Sequence, residues 1–279
     1  MKPVLKWAGG KRLLIPEILK YINKDEMEKN GHRYFEPFIG GGAVCFELMI
    51  AKTVINDTNS ELINVYMQIK ENPGELIEFL KIHRDKYNSE YYEHIRSLDR
   101  EPNFHLQSAV FRASRFIFLN KTCYNGLYRV NSSGFFNVPE GKYKNPDIVN
   151  EHKIHKLSRF FNDKNVTIRN LDFEKSISDA RCGDVVYFDP PYDYEAEGFT
   201  AYSSAGFNRD DLTRLKQVCD DLIMRGCKVI ISNNDTAFVN ELFTSKHYKI
   251  HHIEANRFIN CDGTNRKKVK EVIIYEEGI

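Results

Sequence analysis

Four consecutive residues, Asp189, Pro190, Pro191 and Tyr192, combine an acid, a stiff backbone and an aromatic ring. A carboxylate and a main-chain carbonyl held side by side offer two acceptors, which suits the two hydrogens of an amino group. The tyrosine adds a flat face on which a planar ring can stack. Together these groups could seize the exocyclic amine of a base. Each proline fixes its own φ near about −65° and lacks a ladder donor. The residue before a proline is driven to extended geometry. Most proline pairs are only a rigid turn; the acid before this pair and the aromatic after it single it out.

Three further stretches carry candidate ligand-binding groups. From Tyr34 to Ala43 an apolar strand runs through Phe38 into Gly40, Gly41 and Gly42, and then into a helix expected through Val44, Phe46, Leu48 and Met49. Strand, glycine turn and helix form the entry of a nucleotide-binding α/β unit, although the GxGxxG spacing is absent. Thr53 to Asp57 reads as a second strand, ending in an acid seventeen residues after Gly40. That is close to the roughly twenty expected of a ribose-binding carboxylate; a helix cap is the competing use. Leu5 to Lys11 places Trp7, the sole tryptophan, beside a glycine pair that lets backbone approach a ligand.

The elements that must position these groups follow from periodicity. Residues 185–188, Val-Val-Tyr-Phe, form a buried strand with Asp189 at its carboxyl end. In open α/β sheets ligands bind at that end. Residues 59–121 change to helical spacing, as in Leu62, Val65, Tyr66 and Ile69, and again in Val110, Ala113, Phe116 and Ile117. A β-hairpin is expected next, with limbs Leu127 to Val130 and Phe135 to Val138. The α/β pattern returns near 165, with a strand running to Asp172. A helix through Leu212, Leu215, Val218 and Leu222 stops at Gly226, and strands follow over 227–233 and 269–275. The expected fold class is α/β, a Rossmann-like sheet in two segments, 1–58 and 165–279, with a mostly helical insertion at 59–164.

At 279 residues and 42% hydrophobic, the chain can bury a real core. No apolar run has membrane length, and the start lacks the apolar core of a signal peptide. Six cysteines without a CxxC pair argue against structural zinc or a disulfide framework and for a reducing cytoplasm. A net charge of +1 gives no overall sign of a nucleic-acid partner. Residues 112–144, however, hold Arg112, Arg115, Lys121, Arg129, Lys142 and Lys144 against Glu140 alone. Tyr124, Tyr128, Phe135, Phe136 and Tyr143 are interleaved with them, a pattern suited to nucleic acid.

Nearly the whole chain resembles the Dam family of DNA adenine-N6 methyltransferases, in the group that places its glycine motif first. The resemblance rests on Lys-Trp-Ala-Gly-Gly-Lys (6–11), Glu-Pro-Phe-Ile-Gly-Gly-Gly (36–42), Asp57, Tyr-Asn-Gly-Leu-Tyr-Arg (124–129), Phe-Asn-Val-Pro (136–139) and Asp-Pro-Pro-Tyr (189–192). Ile-Ser-Asn (231–233) and Arg-Lys-Lys-Val (266–269) fit as well. It implies a bacterial or phage-encoded cytoplasmic enzyme that carries a methyl group from S-adenosylmethionine to adenine in double-stranded DNA, with GATC as the expected site and no metal. Trp7, Lys11, Phe38, Gly40, Asp57, Asp172 and Asp189 would then form the cofactor set, with Asp57 on the ribose and Asp172 near the cofactor adenine. Asp189, Pro190, Pro191 and Tyr192 would hold the target base. Lys6, Tyr124, Asn125, Leu127, Arg129 and Pro139 would meet DNA, with Tyr124 as a wedge and Lys6 at the first base pair. Tyr128 and Glu140 occupy positions that vary in the family. The alternatives are N4-cytosine or glutamine methylation, and a catalytically silent DNA-binding regulator. A restriction endonuclease acting on the same site is an admissible partner.

Overall fold

The computed structural model describes residues 1–7, 14–194, 206–255 and 269–276. Two compact units are present. One comprises 1–10, 39–49 and 56–171, and the other 11–38, 50–55 and 172–279. The division differs from the bounds expected from periodicity, because the glycine turn and Asp57 share a unit with the helices.

The second unit is built on a mixed β-sheet. Its strands are β1 (Tyr34–Glu36), β2 (Val54–Asn56, the last residue counted with the first unit), β4 (Val185–Phe188), β5 (Lys228–Asn234), β6 (Tyr248–Ala255) and β7 (Val269–Glu276); β3 (Thr167–Arg169) belongs to the first unit. These six lie in the order β2-β1-β4-β5-β7-β6. β2, β1, β4 and β5 are parallel, in register Phe35 with Val54, Phe35 with Val186, and Val186 with Val229. β7 runs antiparallel to both β5 and β6. β4 is buried on both faces throughout, as a parallel strand with neighbours on each side must be. The helix Arg209–Met224 lays Leu212, Leu215, Val218 and Leu222 into a core shared with Phe35, Val186, Phe188, Val229 and Ile231. Asn208 and Asp211 close its start as a capping box. Gly226, at φ 77°, takes the left-handed turn that ends it. The sheet and its flanking helix bear out the α/β, Rossmann-like expectation. β6 had no clear sequence signal, since its row of Tyr, Lys, Ile and His does not alternate cleanly.

The first unit centres on the helix Ala109–Thr122, which is buried at every position from Ala113 to Thr122. Helices Ser60–Glu71 and Pro73–Lys86 pack against it. Asn59, Asn88, Ser108 and Asn150 each cap a helix of this unit, accepting a main-chain N–H three residues on. The helix expected after the glycines is shorter than its spacing suggested. It makes one turn, Cys45–Leu48, and stops where Met49 turns left-handed at φ 51°. The expected hairpin is also reduced. Antiparallel bridges join Val130 with Phe136 and Cys123 with Glu140, and the turn Tyr124–Gly126 lies between them. Among the described residues no helix is long and apolar enough to cross a membrane.

Candidate active site and nucleic-acid surface

In the sheet unit, β1 and β4 are parallel neighbours, and the chain leaves both at their carboxyl ends. That edge is the switch point where open α/β sheets bind ligands. Phe38 follows β1, with its ring 6.4 Å from that of Phe188 and 5.4 Å from that of Phe173. Asp189 follows β4 and is half-buried. Its Oδ1 accepts from the Ser232 hydroxyl at 3.2 Å, and Ser232 lies 2.8 Å from the Tyr187 hydroxyl. Pro190 is buried and Pro191 exposed. The Tyr192 hydroxyl donates to Glu271 at 3.3 Å. Burial, reinforced by the charge of Asp189, raises the pKa of Tyr187 and of Tyr192 well above the usual phenol range. Both therefore stay neutral donors at physiological pH. A carboxylate steadied by a hydroxyl, beside a tyrosine tethered at its far end, can hold an amino group and stack its ring.

Ser232, Tyr187 and Glu271 were not foreseen as site residues. Ser232 stood inside the quoted Ile-Ser-Asn run, but its partner lies 43 residues away. Asp172 does not end a strand, because β3 stops at Arg169. Instead it caps the helix Phe173–Ser176, and both its oxygens are held by Arg214, at 2.9 and 3.0 Å. Arg214 holds the Asp172 carboxyl below the ordinary range and lies 4.2 Å over the Phe173 ring.

In the helical unit, Asp57 is bound to the glycine turn. Its Oδ2 accepts the Gly40 N–H at 3.1 Å and its Oδ1 the Asn59 N–H at 2.9 Å. Burial raises its pKa, against the pull of these main-chain donors. With the Thr58 N–H, three main-chain donors meet the carboxylate, which leaves acceptor capacity for one hydroxyl donor. The Tyr66 hydroxyl fixes the Gly40 carbonyl at 2.6 Å. Gly40 has φ 44°, and a Cβ there would lie 2.8 Å from Trp7 Cδ1. A side chain at this turn would therefore collide with the tryptophan, which leaves the backbone bare for a ligand. Trp7 also stacks on Phe116 and Tyr128, at 6.2 and 5.8 Å. Lys11 lies outside the described residues, as do residues 266–268 of the Arg-Lys-Lys-Val run.

The DNA-facing candidates of this unit form one group. The Asn120 carboxamide accepts the Lys6 N–H at 2.8 Å and donates to the carbonyls of Lys6 and Gly126, at 2.7 and 3.0 Å. Asn120 thus ties the chain start to the hairpin, a role with no local sequence signal. Lys6 Nζ lies 4.3 Å over the Tyr143 ring. Tyr124 is 46% exposed, a large apolar ring left in solvent, and its N–H is held by the Pro139 carbonyl at 2.8 Å. Asn125 is exposed and left-handed at φ 54°, Leu127 is half-buried and Pro139 exposed. Arg129 is exposed, with Nε donating to Asn137 Oδ1 at 2.8 Å.

The charge cluster read from residues 112–144 is smaller in space than in sequence. Arg112 pairs with Glu61 at 2.7 Å and Arg115 with Asp99 at 2.9 Å, both carboxylates from outside that window. Lys121 is buried, and burial pulls its pKa down to about 8. Arg129, Lys142 and Lys144 remain exposed. The interleaved aromatics divide likewise: Tyr128 stacks against Phe116 and Phe136 is buried, so both are core. Among the described residues no group of three or more His, Cys, Asp or Glu side chains could hold a metal ion.

Residues 7–259 match the sequence model of the D12 class N6 adenine-specific DNA methyltransferases. The chain is 44% identical over 280 residues to the type II methyltransferase M1.LlaDCHI of Lactococcus lactis subsp. cremoris, covering 100% of this chain and 96% of that one. It is 41% identical to the type II methyltransferase M.MjaIII of Methanocaldococcus jannaschii, covering 96% of each. It is 31% identical to the DNA adenine methylase of Escherichia coli K12, covering 99% of this chain and 95% of that one.

Proposed function

The chain belongs to the D12 class of N6 adenine-specific DNA methyltransferases, and from that premise we propose that it methylates the adenine of GATC in duplex DNA after turning the base out of the helix. The observation that carries the reading is Asp189, held by Ser232 at the carboxyl end of β4 and followed by Pro190 and the tethered Tyr192.

Membership in the family implies S-adenosylmethionine as methyl donor and DNA as acceptor. The bare glycine turn and the remaining acceptor capacity of Asp57 fit a ribose-bearing donor. Trp7, Lys11, Phe38, Gly40, Asp57, Asp172 and Asp189 are the proposed set, with Arg214 keeping Asp172 ionised. When bound, the donor supplies an electrophilic methyl group. Turning the base out costs roughly a few kcal/mol; stacking on Tyr192 and hydrogen bonds to Asp189 and the Pro190 carbonyl offset that cost. The same two acceptors draw the amine toward tetrahedral geometry and free its lone pair. Orientation is then the main catalytic contribution. The Asp189 charge adds stabilisation as the nitrogen becomes positive.

The helical stretch 59–164 serves as the target-reading part, with Lys6, Tyr124, Asn125, Leu127, Arg129 and Pro139 meeting DNA. The two type II methyltransferases among the relatives favour modification beside a restriction endonuclease, in the cytoplasm of a microbial cell. The test is to sequence DNA from cells expressing the protein and to map the methylated bases. N6-methyladenine confined to GATC is the expected result. N4-methylcytosine, or adenine methylated in another context, would replace the proposed target, and Asp189→Ala should abolish the signal.

A further inference from the structure

Asp193, the residue after Tyr192, is among the most heavily bonded carboxylates of the sheet unit. Its side chain is 7% exposed. Arg209 reaches it with two nitrogens, Nε to Oδ1 at 2.9 Å and Nη2 to Oδ2 at 3.1 Å. The Thr236 hydroxyl donates to Oδ2 at 2.7 Å. Its main chain is fastened as well: its N–H donates to Asn233 Oδ1 at 3.0 Å, and its carbonyl accepts from Asn234 Nδ2 at 2.7 Å. Five hydrogen bonds from two helix starts, at Arg209 and Thr236, and from the end of β5 thus converge on a single residue. Pro190 and Pro191 have fixed φ, so few torsions remain free between Asp189 and this anchor. Two atoms of the supporting pair, Asn233 Nδ2 and Asn234 Oδ1, are buried without a partner. Native cores keep such orphans few, and each calls for a reason such as strain or a functional site.

We propose that Asp193 is a positioning residue for methyl transfer: clamped by Arg209 and Thr236, it locks the main chain beyond Tyr192 and so sets where Asp189 and Tyr192 meet the amino group. This rests on the reading that Asp189 and Tyr192 hold the target base. A misplacement on the order of 1 Å is enough to cost about a hundredfold in rate.

The experiment is single-turnover methylation of unmethylated plasmid DNA with labelled S-adenosylmethionine, together with calorimetric affinity for the methyl donor. It compares Asp193→Ala, Asp193→Asn and Arg209→Ala, with Asp189→Ala as control. Asp193→Ala should lose about 10–100-fold in rate at unchanged donor affinity. Asp193→Asn should recover most of it, because its carboxamide oxygen still accepts from Thr236. Arg209→Ala, at a side chain 52% exposed, should lose about tenfold and stay folded, and it carries the test alone if Asp193→Ala fails to fold. Wild-type rates in Asp193→Ala or Arg209→Ala, with Asp189→Ala inactive, overturn the proposal. So does a loss matched by an equal loss of donor affinity. A wild-type rate in Asp189→Ala instead removes the base-holding reading, and the proposal with it.

Discussion

The turn at 189–193 and the hairpin at 124–140 are both irregular backbone held by side chains, but they are anchored unequally. The turn leaves a fully buried strand with parallel neighbours on each side, and Ser232, Asn233, Asn234 and Glu271 at the ends of β5 and β7 grip it along its length. In the hairpin, the limb from Phe135 to Glu140 takes most of the anchors. Asp99 accepts the Phe136 N–H at 2.7 Å and Arg100 donates to the Phe136 carbonyl at 3.0 Å. The Tyr92 hydroxyl holds the Val138 carbonyl at 2.8 Å, and Tyr87 and Ser89 donate to Glu140 at 2.7 Å each. The other limb is held at Gly126 by Asn120, at Leu127 by the Cys123 thiol and at Tyr128 by stacking on Trp7 and Phe116, while Tyr124, Asn125 and Arg129 stay exposed. The difference suits the two tasks proposed for them, holding the amino group and reading the DNA site. Chemistry needs acceptors fixed from all sides; reading a sequence needs a surface fixed on one side and free to settle on the other.

The largest test of this contrast is Asp99→Ala. Asp99 carries the Phe136 N–H and also neutralises Arg115, whose side chain is 9% exposed. Burial already lowers the Arg115 pKa. Removing one partner of a buried ion pair costs about 3–5 kcal/mol, because the other charge is left uncompensated. Denaturant unfolding should show a loss of that size, with hairpin protection in hydrogen exchange falling alongside it. A loss below about 1 kcal/mol, the size of a surface pair, would mean that the anchored limb does not depend on Asp99, and the asymmetry would disappear.

Asp57→Ala comes next. With Asp57 on the donor ribose as proposed, losing that charge-assisted hydrogen bond should cost about 1.5–3 kcal/mol in affinity, measurable by calorimetry. Unchanged affinity would leave Asp57 as a brace for the Gly40 turn alone. Burial raises its pKa in the free protein, so the acceptor is lost as pH falls through that raised value. Donor affinity should therefore begin to fall at a higher pH than for an ordinary surface aspartate, and Asp57→Asn should flatten that part of the profile.

Much of the turn proposed to hold the base was legible in sequence because its parts are contiguous. Asp189 to Tyr192 state an acid, two fixed φ angles and a ring in four residues; Gly40 to Gly42 state a bare turn. What fastens them was hidden, since Ser232 and Glu271 lie 43 and 79 residues from their partners. The hairpin was harder to read for the same reason. Its anchors come from 36 to 53 residues upstream, and without them residues 127–138 look like two ordinary strands. Charge misled most: Arg112, Arg115 and Lys121 look like a basic face in sequence but are paired or buried in the fold.

The smallest expected effects separate reading from mere attachment on the freer limb. Arg129 is exposed, and its Nε is directed by Asn137 across the hairpin. That single bond orients the guanidinium and leaves its two terminal nitrogens for the O6 and N7 of a guanine, the usual bidentate contact of arginine in the major groove. Arg129→Ala should cost about 1–3 kcal/mol and relax discrimination at one base pair. Asn137→Ala should do the same more weakly, because it removes the orientation but keeps the charge. Lys142 and Lys144 are exposed beyond the hairpin and have no such director. Replacing either should weaken all sequences alike and lower the salt slope by about one. The measurement is methylation of oligonucleotides carrying every single substitution of the site, at two salt concentrations. A uniform loss for Arg129→Ala, with discrimination intact at each position, would assign Arg129 to the phosphates with the lysines, and the freer limb would then hold DNA without reading it there.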